Sequence, residues 1–119
     1  MDDSQARKFQ KDLNGGLVEL VLLGVLDATS EDLYGYEIAK RLQRANEGEA
    51  LFKEGTIYPV LRALSASGYL TSHILPSNSG PPRRYYRITG EGRLLLAQWS
   101  GIWRQTRDFV DLFIEGKSS

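Results

Sequence analysis

The sequence predicts a mainly helical fold that carries one two-stranded β-hairpin and ends in a long helix. Three observations predict it: apolar stripes of helical spacing in the first half, two β-branched and aromatic runs between residues 69 and 89, and an apolar series of alternating four- and three-residue steps over residues 95–113. Recurrence at i, i+3, i+4 and i+7 marks amphipathic helices, and short runs bounded by turn residues mark strands. A chain of 119 residues supports one core.

Residues 1–11 are polar and charged, with Phe9 the only sizeable apolar side chain, and are expected to form a flexible arm. From Leu13 a stripe of Leu13, Leu17, Leu20 and Val21 predicts the first helix, and Leu22, Leu23, Val25 and Leu26 add apolar surface on its other faces. In so short a chain, a second subunit is the natural cover for such a helix. Residues 29–32 break the pattern. Ile38, Leu42 and Ala45 then mark a second helix over residues 34–45, and Ile57, Val60, Leu61 and Leu64 a third, ending at Ser67 and Gly68. Pro59 must lie near the start of that helix or mark a kink, because an interior proline loses a hydrogen bond.

Residues 69–75 and 83–89 predict the two strands, joined by a seven-residue tip over residues 76–82. Strand alternation puts Tyr86 and Ile88 on the core face and Tyr85 and Arg87 on the other. Thr89 is placed to cap a final helix. Its series Leu95, Trp99, Ile102, Thr106, Phe109 and Phe113, widened by Trp103 and Val110, has the spacing of a seam against another helix. So large an apolar surface predicts a homodimer, with Leu13, Leu17 and Leu20 of the first helix in the same interface. The expected organisation is an arm over residues 1–11, a body over residues 12–89 and a dimerisation helix over residues 90–119, in one compact unit.

Composition excludes several classes. There is no cysteine, so disulfides, thiolate metal sites and cysteine nucleophiles are absent. His73, the single histidine, lies in a predicted strand without a clustered carboxylate signature, and the glycines at 90 and 92 lack phosphate-loop spacing. These features predict no enzyme, no metal and no cofactor. The longest apolar stretch, residues 17–26, is interrupted by Glu19 and Gly24, so neither export nor membrane anchoring is expected and a cytoplasmic location is.

The net charge is zero, but it is unevenly spread. Residues 1–52 hold six basic and ten acidic side chains, and residues 53–93 hold six and two. A local excess of cations matters more to a nucleic-acid partner than the total. Helix, helix, helix, strand, strand is the order of a winged helix-turn-helix, whose third helix enters the major groove. Thr56, Tyr58 and Arg62 fall off the apolar stripe of that helix, with Lys53 just upstream. Arg83, Arg84 and Arg87 alternate with tyrosines on the wing, where arginine straddles phosphates or reaches the minor groove. These seven residues are the candidate contacts to double-stranded DNA. The neutral total and acidic first third keep one alternative open, a winged-helix protein-interaction module without DNA binding.

Five segments also carry a family resemblance: GYEIAKRL at residues 35–42, GTIYPVLRAL at 55–64, GYL at 68–70, GPPRRYYRIT at 80–89, and Gly92. Together they resemble the PadR family of transcription regulators over residues 17–92. The resemblance implies DNA contact through Thr56 and Tyr58, dimerisation through the last helix, and a repressor acting at a pseudo-palindromic operator. In some members of that family an aromatic pocket between subunits takes planar compounds, which makes Trp99 and Trp103 the candidate site for a small aromatic effector.

Overall fold

The computed structural model describes residues 3–116. Its elements are α1 (Asp3–Asp27), β1 (Leu33–Tyr34), α2 (Gly35–Ala45), α3 (Glu54–Ala66), β2 (Leu70–Ser77), β3 (Gly80–Ile88) and α4 (Gly90–Ile114). The expected mainly helical winged fold with a long C-terminal helix is what forms. Residues 1–2 of the expected arm and 117–119 of the expected last segment lie outside the described residues.

The core gathers one face of each element. Val18, Leu22, Leu23 and Leu26 of α1 meet Leu33, Ile38, Ile57, Leu61 and Leu64 from the next three elements, and Leu70, Tyr86 and Ile88 close it from the wing. Burying a leucine or isoleucine contributes about 1.5 to 3 kcal/mol each, so this cluster is the main source of stability. Tyr86 and Ile88 occupy the core face of β3 as alternation requires, while Arg87 points out.

Two sequence expectations give way. Residues 3–11 are not a loose arm but the first turns of α1. Their residues are good helix formers, and Lys8 to Asp12 at 2.9 Å and Gln10 to Asn14 at 2.7 Å add side-chain pairs one turn apart. Asn14 also donates to the carbonyl of Leu51 at 2.9 Å, which ties this part of the helix to the α2–α3 connection. Apolar periodicity reports burial, and a solvated helix has none to report.

The second correction is the wing. Its tip is not seven residues long: β2 runs to Ser77 and β3 starts at Gly80, leaving a turn of Asn78 and Ser79. Leu75 pairs with Arg83 and Ser77 with Gly80, so Pro81 and Pro82 together oppose Pro76 in a bulge. Proline cannot donate to a ladder and is tolerated at bulges and edges, which lets the strands pass through three of them. Ser77 Oγ holds the turn by donating toward the Gly80 and Pro81 carbonyls, at 2.9 and 3.0 Å. A third strand, β1, pairs with β3 through Leu33 and Tyr86, giving the order β1-β3-β2.

The joint between wing and last helix depends on two residues. Thr89 Oγ1 accepts from the Gly92 amide at 3.0 Å, the N-cap expected from the sequence, and donates to the Gly68 carbonyl at 2.8 Å. A β-carbon on Gly92 would lie 2.2 Å from the Tyr69 carbonyl oxygen, so only glycine lets α4 start this close to the wing. Past Trp99 the side chains of α4 leave the core, and Ile102, Phe109, Val110, Phe113 and Ile114 are exposed.

Candidate nucleic-acid interface

The surface begins at the start of α3. Lys53 stands at the N-cap position, and Thr56 and Arg62 are exposed on the face opposite Ile57, Leu61 and Leu64. Pro59 is the sixth residue of α3 and is exposed, so the amide it lacks costs a bond only on the outer face. Tyr58 differs from its neighbours in being half-buried. Its ring lies against Gly35, where an added β-carbon would come within 2.6 Å, and its hydroxyl donates to Glu54 at 3.4 Å. Burial, and then the Glu54 carboxylate, raise the Tyr58 pKa above the ordinary 10.0. The phenol keeps its proton, which it donates to Glu54.

The wing supplies the second part. Arg83 lies over the Tyr34 ring, 4.5 Å from its centroid, and Arg84 Nη1 donates to Ser72 Oγ at 3.1 Å. Ser72 Oγ in turn accepts from Ser65 Oγ of α3 at 3.2 Å, so the wing arginine is braced on the helix beside it. Burial raises the Tyr86 pKa, while the Arg84 and Arg62 guanidinium groups pull it down, a sign that both cations stand close to that phenol.

Arg62, Arg83 and Arg84 line one shallow depression of about 200 Å³ with Tyr34, Gly35, Tyr36, Tyr58 and Tyr86. Helix and wing thus present three guanidinium groups on a single floor of tyrosines. Arginine over an aromatic face keeps its charge while its stem is packed, which orders it before any partner arrives. Arg87 stands apart: it forms a short hydrogen bond to Asp32, which also lies 3.3 Å from His73 Nε2. His73 is exposed and stacks on Tyr85, with centroids 5.9 Å apart.

Sequence reasoning did not single out Tyr34, Tyr36 or Lys40, whose ammonium sits 5.3 Å from the Tyr36 ring centroid. The signal was present in the Tyr34-Gly35-Tyr36 run, where glycine between two tyrosines marks a close approach. Nor did it single out Asp32, since only the fold brings it to Arg87.

A second site lies between α1 and α4. Leu13, Leu17, Leu20, Trp99, Ile102, Trp103 and Thr106 line an open cleft of about 530 Å³ together with Asp12, Gly15, Gly16 and Glu19. Of the remaining seam residues, Leu95 packs on the core of its own chain, and Phe109, Val110 and Phe113 project beyond it. Phe109 and Phe113 form an edge-to-face pair with centroids 5.1 Å apart.

Comparison with known proteins decides the family. The transcriptional regulator PadR-like family matches residues 22–98, more than half of the chain. The chain belongs to the PadR-like family. Its fold is similar to that of a transcriptional regulator from Clostridium thermocellum, with a TM-score of 0.76 and 31% identity, covering 87% of this chain and 95% of that one. A PadR family transcriptional regulator from Eggerthella lenta is equally similar, with a TM-score of 0.76 and 30% identity, covering 97% of this chain and 96% of the other. An uncharacterized protein from Lysinibacillus sphaericus is 30% identical over 104 residues, 87% of this chain and 93% of its relative. Members of the PadR-like family are DNA-binding transcription regulators and not enzymes. No helix among the described residues is long and apolar enough to cross a membrane.

Proposed function

We propose that this PadR-like regulator binds a pseudo-palindromic operator as a homodimer, acts as a repressor on chromosomal DNA in the cytoplasm, and is released by a small planar aromatic ligand. One observation carries the DNA reading: Arg62, Arg83 and Arg84 share a single depression between α3 and the wing. In this geometry α3 enters the major groove with Thr56, Tyr58 and Arg62 toward the bases and nearby phosphates, with Lys53 at the groove edge and the wing arginines straddling the flanking backbone. Arg87 contributes least, because Asp32 already neutralises it.

The exposed apolar length of α4 supports the homodimer. Leu13, Leu17 and Leu20 of α1 and the seam of α4 meet that of a second copy, bringing two recognition helices to successive half-sites about 34 to 36 Å apart. The cleft that holds Trp99 and Trp103 then faces its symmetry mate, and its volume of about 530 Å³ and its apolar, tryptophan-bearing lining support a flat aromatic ligand.

Fluorescence anisotropy of a labelled duplex from the DNA upstream of its own gene, titrated at two salt concentrations, tests the reading. Saturable binding that weakens steeply with salt is the expected result. Association of the chain as a dimer with no duplex binding even at low salt would instead support a protein-interaction module. A planar aromatic compound that does not itself bind DNA should quench the tryptophans and lower duplex affinity, since a ligand shifts binding only through different affinities for the two states.

A further inference from the structure

Positions 7, 11, 14, 18 and 22 of α1 advance by steps of four and three residues and so share one helix face. At Val18 and Leu22 that face is buried in the core, and at Arg7 and Lys11 it overhangs the connection into α3. A groove of about 560 Å³ lies there, with Arg7, Lys11 and Asn14 on one side and Lys53 and Thr56 on the other. Three of its lining residues are cations and none is acidic, in a chain whose net charge is zero. Among the described residues neither Arg7 nor Lys11 has a carboxylate partner, whereas Lys8, on the adjacent face, is engaged by Asp12 at 2.9 Å. The bond from Asn14 to the Leu51 carbonyl sets where the helix stands over the groove.

We propose that this groove takes the phosphate backbone of DNA next to the segment read by α3, which makes α1 a third DNA-contacting element beside the recognition helix and the wing. The inference rests on the DNA-binding reading above. Lys53 and Thr56 belong to both surfaces, so a duplex seated on α3 continues across Arg7 and Lys11. Guanidinium and ammonium groups with no competing carboxylate suit a polyanion, and each phosphate they neutralise releases condensed counterions. A flexible arm could not do this at fixed register. A helix pinned at Asn14 can.

The test uses the full chain and a labelled random-sequence duplex, with anisotropy measured over a range of salt. The double variant Arg7→Gln/Lys11→Gln should bind more weakly and lower the slope of log affinity against log salt by about two units. Lys11→Arg should keep the wild-type slope, and Lys8→Gln should leave it unchanged. Circular dichroism of each variant confirms that α1 is intact. An unchanged slope in the double variant, with Arg62→Ala still lowering it, overturns the inference and leaves the recognition surface standing. An equal loss from Lys8→Gln also overturns it, since a diffuse charge effect would then suffice. Failure of the wild-type chain to bind the duplex at any salt removes both readings.

Discussion

A methyl group at Gly92 would meet the Tyr69 carbonyl at 2.2 Å and the Ile88 side chain at 2.8 Å. The first of these is backbone held in the joint between wing and α4, so it cannot swing aside. Gly92→Ala should therefore destabilise the protein by roughly 2 to 3 kcal/mol, read from urea denaturation, whereas replacing the solvent-facing Gly90 should cost far less. Tyr58 and Tyr86 give a pH signature. Both phenols have folded pKa values above the ordinary 10.0, chiefly through burial, so the stability they contribute is complete below that value and is lost as pH rises through the higher folded value. The melting temperature should hold near neutrality and fall under alkaline conditions, and Tyr58→Phe/Tyr86→Phe should blunt that fall. The arginines separate in the same way. Arg62→Ala should lower the salt slope of duplex binding by about one unit, and Arg87→Ala should lower it much less, because Asp32 already holds that guanidinium.

Among the elements, α2, α3 and the inner end of the hairpin were legible because each buries one side in the core, and burial imposes a period on the sequence. Ile57, Leu61 and Leu64, or Tyr86 and Ile88, could be read directly as core positions. The first turns of α1 bury almost nothing, so their helicity left no apolar trace. β1 has two residues, too few for any period, and its strand character comes from pairing with β3. The prolines at 76, 81 and 82 argued for a long loop, and only a bulge in the ladder reconciles them with strands. For the candidate interface, the exposure of Lys53, Thr56 and Arg62 was readable, but the pairing of Arg87 with Asp32 and the tyrosine floor were not, since both join segments far apart in sequence. On the braced wing, Arg83→Ala/Arg84→Ala should lower the salt slope by about two units while leaving the melting temperature nearly unchanged, as both side chains are exposed.

At the scale of the whole molecule, the two long helices outrun the core. Each has 25 residues, about 37 Å of helix, in a molecule 54 Å long and 23 Å across its thinnest direction. The overhanging part of α4 exposes Phe109 at 63% and Phe113 at 70%, more apolar ring surface than a monomer keeps in water without cause. In the proposed homodimer, Phe109→Glu/Phe113→Glu should leave a folded monomer by light scattering, and binding to a two-half-site duplex should fall well over tenfold as two linked contacts become one.

Sedimentation velocity of the labelled upstream duplex with the wild-type chain tests homodimeric DNA binding most directly, because it reports mass and binding together. The expected boundary carries two chains per duplex at low salt, with no one-chain complex at intermediate ratios, and dissolves as salt is raised. A duplex that sediments alone at low salt, or that carries a single chain, would contradict homodimeric DNA binding.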